Sequence, residues 1–139
     1  MTRLLSSLAL AATVFVTTIS AACAASEADS LRPIFVKLAA VGGSGQSGRL
    51  VMRQLGPQFT VSGTVANESP QALEPSHIHK GPCGSNAPII RDLGAVTRGN
   101  LGTALVAGYT IAQLHAMHAS IDVHTSAGGR ATVVACGNM

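Results

Sequence analysis

Large aromatic side chains are nearly missing: the 139 residues include no tryptophan, one tyrosine and three phenylalanines. A core without them is filled by smaller aliphatic groups and is thinly packed, which raises the value of a covalent staple, and there is no row of exposed rings on which nucleic-acid bases could stack. Charge is also sparse, at 11 % of residues. Beyond Arg3 the basic residues are scattered from Arg32 to Arg130 without a run, so no nucleic-acid partner is expected. Several catalytic signatures are missing too. There is no Gly-x-Ser-x-Gly elbow, no Gly-x-x-x-x-Gly-Lys-Ser/Thr phosphate loop, no His-Glu-x-x-His helix and no Cys-x-x-Cys pair. Internal repeats, heptads and low-complexity tracts are lacking as well. The longest apolar run, Leu4 to Ile19, is broken by Ser6, Ser7, Thr13, Thr17 and Thr18. It falls short of the roughly 20 residues needed to cross a bilayer, so no membrane span is expected.

That run has the layout of a secretory signal peptide: Arg3 before it, the small residues Ser20-Ala21-Ala22-Cys23-Ala24-Ala25 after it. With Ala22 and Ala24 preceding the cut, cleavage before Ala25 is expected, giving residues 1–24 as signal peptide, 25–32 as a polar leader and 33–139 as one β domain, located in the periplasm or secreted. A lipid anchor at Cys23 is the alternative. It is disfavoured by Ser20 at the position where such a site carries a leucine-like residue. Cleavage reduces three cysteines to two, Cys83 and Cys136, and an oxidising compartment makes a disulfide between them the economical expectation, two buried thiols being the alternative. The nine Lys/Arg less Arg3 leave eight against six Asp/Glu, a mild positive balance that can help draw a small anion toward a site.

The mature chain reads as short strands separated by glycine-rich turns. Pro33 to Ala40, the turn Gly42 to Gly48 and Arg49 to Gln54 form a hairpin pattern. Gln58 to Ala66 alternates Phe59, Val61, Gly63 and Val65 with Thr60, Ser62 and Thr64, the period of a half-buried strand. A loop from Asn67 to Pro75 leads into Ser76 to His79. Further strands are read at Ile89 to Leu93, Asn100 to Val106, Ser120 to His124 and Arg130 to Cys136. One short helix is read near 110–117, with Thr110 as its cap. Seven or eight short antiparallel strands give an all-β fold, a sandwich or barrel.

All five histidines fall between residues 77 and 124. In a strand, His77 and His79 project to the same face about 7 Å apart at Cα, a start for chelating one metal ion. A third imidazole from another strand, such as His124 of Asp122-Val123-His124, completes a three-nitrogen set suited to copper or zinc. The plain alternative is a solvated strand face. His115 and His118, spaced for one face of a helix turn, are weaker metal candidates and fit surface decoration.

These residues resemble copper/zinc superoxide dismutase, a Greek-key β-barrel. The similarity covers most of the mature chain: the opening strand–hairpin–strand of Pro33 to Arg53, then Ser76-His77-Ile78-His79-Lys80-Gly81-Pro82-Cys83-Gly84, and Ala135-Cys136-Gly137 at the end. The resemblance implies that His77, His79 and His124 hold one copper ion, that Cys83 pairs with Cys136, that superoxide is the substrate and that Arg130 guides it. The chain departs from that pattern in three ways. No histidine lies between Lys80 and Leu114, so a bridging histidine and the family's zinc site are lacking. The loop after His124 shrinks to Thr125 through Gly129, and Arg130 stands six residues before Cys136, farther than in the family. The same histidines, with Asn86 to Ile90 and His124-Thr125, also resemble the CHRD domain, a secreted β module without established catalysis. The resemblances therefore imply a copper-only dismutase-like protein, with a non-catalytic periplasmic copper-binding protein or a CHRD-like structural or interaction module as alternatives. No feature of the sequence fixes an oligomeric state.

Overall fold

Alternation of apolar and polar residues along Gln58–Ala66 places Phe59, Val61 and Val65 on a buried face, and this stretch forms the third of eight strands. The strands are β1 (Ile34–Ala40), β2 (Ser47–Leu55), β3 (Gln58–Ala66), β4 (Glu74–His79), β5 (Ile89–Thr97), β6 (Asn100–Ala107), β7 (Ser120–His124) and β8 (Val133–Asn138). In this computed structural model residues 32–125 and 131–139 are described. The expected signal peptide, nearly all of the leader, Cys23 and Arg130 lie outside the described residues.

All strands join one closed antiparallel barrel in the order β1-β2-β3-β6-β5-β4-β7-β8. β4, β5 and β6 follow one another as neighbours, β7 returns beside β4 and β6 lies beside β3, so two Greek-key crossovers share the middle strands. The later crossover carries the one helix of the described residues, α1 (Ile111–Ala116). Thr110 caps it as expected: its hydroxyl accepts from the Gln113 amide, and the Gln113 side chain accepts from the Thr110 amide. Among the described residues no helix is long and apolar enough to cross a membrane.

The apolar core is built of aliphatic side chains together with Phe59 and Met52. Leu38, Leu50, Met52, Val61, Ile78, Leu114 and Ile121 are fully buried with Phe59, and each such side chain contributes about 1.5–3 kcal/mol by leaving water. The absence of a side chain at Gly63 lets β2 and β3 approach closely. A β-carbon added at Gly63 would stand 2.2 Å from the Arg49 carbonyl oxygen and 2.8 Å from the Leu50 Cα, so only glycine fits there.

Several strand boundaries differ from the sequence expectation: β2 starts at Ser47, inside the expected turn, β5 runs on to Thr97, and β4 and β8 are shifted as well. β4 begins at Glu74, inside the stretch read as loop. Glu74 is buried in the barrel, where the Gln46 side-chain amide donates to it at 2.7 Å, and Pro75 is tolerated because β4 has only β5 as neighbour until Ser76 pairs with Val123. β8 begins at Val133 and runs past the expected end at Cys136 to Asn138, because pairing with β7 extends to Gly137 and Asn138, residues of low strand propensity.

Candidate metal centre

β4 lies between β5 and β7, and its inward side chain Ile78 leaves His77 and His79 on the outer face. In β7, Ile121 and Val123 face the core, so Ser120, Asp122 and His124 share that outer face. The register sets His77 opposite Asp122 and His79 opposite Ser120. Register shifts accompany all three imidazoles: between Ser76 and His77 and between Ile78 and His79 against β5, and between Val123 and His124 against β8. Such irregularities re-aim side chains. Here three imidazoles converge, with ring centroids 6.0 Å (His77–His79), 4.9 Å (His77–His124) and 5.8 Å (His79–His124) apart. One ring nitrogen of each lies within 4.8 Å of one from each of the others, so the group can hold a metal ion.

The loop after β4 folds over this face. Lys80 N–H donates to the Pro88 carbonyl at 3.0 Å, and Cys83 is bonded to Cys136 of β8, which confirms the expected disulfide. Cys83 N–H also donates to Asn138 Oδ1 at 2.7 Å. The loop thereby holds the Ala87 carbonyl 2.8 Å from His79 Nδ1. Since a carbonyl only accepts, Nδ1 carries the ring proton and Nε2 keeps its lone pair. His79 Nε2, His77 Nδ1 and His124 Nε2 are buried and have no hydrogen-bond partner. A buried polar atom left without a partner costs about 1–3 kcal/mol, and three such nitrogens turned into one face are the donor set that a metal ion would satisfy.

Burial lowers the pKa of both His77 and His124 below the usual imidazole value. For His77, Asp92 and Asp122 oppose the shift and His79 adds to it; for His124, His77 and His79 add and Asp122 opposes. Both rings are thus biased to the neutral form that ligates metals.

Asp122 was not singled out in the sequence, where it is one of a few scattered acids. Its Oδ2 stands 3.8 Å from His79 Nε2 and its Oδ1 lies 2.6 Å from the Cys136 sulfur, a contact without a proton because that sulfur is in the disulfide. Cys83, Asp122 and Cys136 also cluster, but the S–S bond takes both sulfurs out of use as ligands. Beside the histidines opens a cleft of about 550 Å³, lined among others by His79, Ser120, Asp122, His124, Ile89 and Val133. No lysine or arginine is among its described lining residues. His115 and His118 are exposed, on α1 and just after it, and stand outside the three-histidine group.

Comparison of the chain with protein-family models, with curated proteins and with solved structures finds no match.

Proposed function

We propose that this chain is an exported copper-binding protein of superoxide dismutase-like design, with His77, His79 and His124 as the copper ligands. The observation that carries the reading is the convergence of three unpartnered, buried imidazole nitrogens on one barrel face. Neutral imidazoles favour late first-row metals, and among divalent ions copper stands highest in affinity. The disulfide agrees with an oxidising compartment and so with removal of residues 1–24 on export. Copper bound there supplies one-electron chemistry, the requirement for dismutating superoxide. The chain contributes the ligand geometry, the Ala87 carbonyl that fixes the His79 tautomer, and an open cleft for a small reactant.

A second reading, copper holding without turnover, draws support from the cleft. Its described charged group is the Asp122 carboxylate, which repels rather than attracts an anion. A CHRD-like module that binds no metal is the third.

Titrating the metal-free domain with Cu(II) under electron paramagnetic resonance separates them. One copper per chain with a nitrogen-rich spectrum, lost in a His77→Ala/His79→Ala/His124→Ala variant, is expected. Binding indifferent to these histidines, or none, would leave the third reading. With the site established, dismutase activity that disappears on chelation and returns with copper alone selects the first reading, and copper binding without activity selects the second.

A further inference from the structure

The outer face of the β1–β2 ribbon carries a charge arrangement that folding does not explain. Lys37 and Arg49 are direct cross-strand partners, and like charges so placed destabilise a sheet. Arg53 is exposed farther along β2, and Arg32 is exposed just before β1. These are four of the seven Lys/Arg among the described residues, and none of the four described carboxylates joins them. Glu74 and Asp122 are buried, Glu68 is turned to the Gly99 amide, from which it accepts, and Asp92 is on β5. Beside the cations stand two apolar side chains on the same face: Phe35, 55 % exposed, and Leu55, 48 % exposed. The Arg49 guanidinium lies over the Phe35 ring, 5.1 Å from its centroid, so cation and ring are presented together.

We infer that this ribbon face docks on an anionic phospholipid bilayer. The cations match lipid phosphates in charge. Phe35 and Leu55 decide for a bilayer over a soluble polyanion, because an interface takes up an aromatic and an aliphatic group that a polyanion would leave in water. The histidines lie on β4 and β7, strands other than those of this ribbon. The inference does not rest on the metal reading.

Among the described residues the buried core lies between Val36 and Cys136, and residues 25–139 are the chain expected after export, so this form is the one to test. Co-sedimentation with phosphatidylglycerol-containing vesicles is expected, weakened at high salt and by vesicles of phosphatidylcholine alone. Lys37→Ser/Arg49→Ser is expected to weaken binding roughly 25-fold, about fivefold per cation. Phe35→Ser is expected to weaken it as well. Lys80→Ser/Arg98→Ser removes equal charge elsewhere and is expected to leave binding nearly intact. Unchanged thermal unfolding of the variants verifies that the barrel is preserved. No vesicle binding, equal losses in the two double variants, or binding to heparin in preference to vesicles would each overturn the inference.

Discussion

The Ala87 carbonyl oxygen holds His79 Nδ1 at 2.8 Å, and this one bond decides which nitrogen of that ring is offered to a metal. In the metal-free domain at a pH where imidazoles are neutral, long-range ¹H–¹⁵N spectra should show His79 as the Nδ1–H tautomer. An Nε2–H tautomer would mean that the loop does not orient the ring. Because a partner that orients a ligating imidazole is worth about 10–100-fold in metal affinity, a variant that displaces the Ala87 carbonyl should lose about that factor in copper binding while His77 and His124 are untouched.

The disulfide fixes the same loop from its other end. It closes a separation of 53 residues, and cross-linking a loop of that size stabilises by about 4 kcal/mol on chain-entropy grounds. Cys83→Ser or Cys136→Ser should therefore lower the thermal midpoint by on the order of 15 °C or more. Copper affinity should fall with it, since Cys83 anchors the loop that carries Ala87. A midpoint unchanged by both substitutions would show that hydrogen bonds alone secure the loop.

Acid should destabilise the metal-free domain through His77 and His124. Their folded pKa values are lowered, chiefly by burial, so the unfolded chain takes up protons first as pH falls. Above the ordinary imidazole value of about 6.5 neither state is protonated and these groups add no pH dependence. Below it stability is lost progressively until the depressed folded values are reached. Thermal midpoints measured across this window should fall more steeply for the wild type than for a His77→Gln/His124→Gln variant, and parallel curves would contradict the assignment.

Close approach of β2 and β3 makes its own forecast. Gly63→Val sets a branched side chain where even a β-carbon meets backbone at 2.2 Å, and it should cost several kcal/mol or prevent folding. Thr64→Val, one residue along on the exposed side of the strand, should be nearly neutral in denaturant unfolding.

His115→Ala and His118→Ala should leave copper stoichiometry and spectrum unchanged, because both side chains are exposed and outside the ligand group. A change in the nitrogen hyperfine pattern in either variant would enlarge the site.

Much of this was legible in the residues because period and chemistry coincide there. Gln58–Ala66 alternates without interruption and folds with those same bounds, and Thr110 with Gln113 announces the helix start that the capping box then forms. His77 and His79 could be placed on one face by parity alone. What was hidden depends on register, which sequence does not carry. Asp122 becomes part of the site only because β7 pairs with β4, and the role of Ala87 belongs to a backbone carbonyl, a group every residue has. The buried Gln46–Glu74 pair, two polar residues in loop-like contexts, has no signature before the barrel closes around it.

The Greek-key crossover that returns β7 to β4 has a consequence for when the donor set exists. His77 and His79 arrive early in the chain, but His124 joins them only after β5, β6 and α1 have been laid down and β7 has docked. A nascent or unfolded chain offers at best two neighbouring imidazoles, so tight capture of a metal reports on completed topology. Any ion that prefers the three-nitrogen set then acts as a late-acting clasp: it leaves the slow, non-local search for strand partners unaided, and withdraws finished barrels from the unfolded pool in proportion to its free concentration.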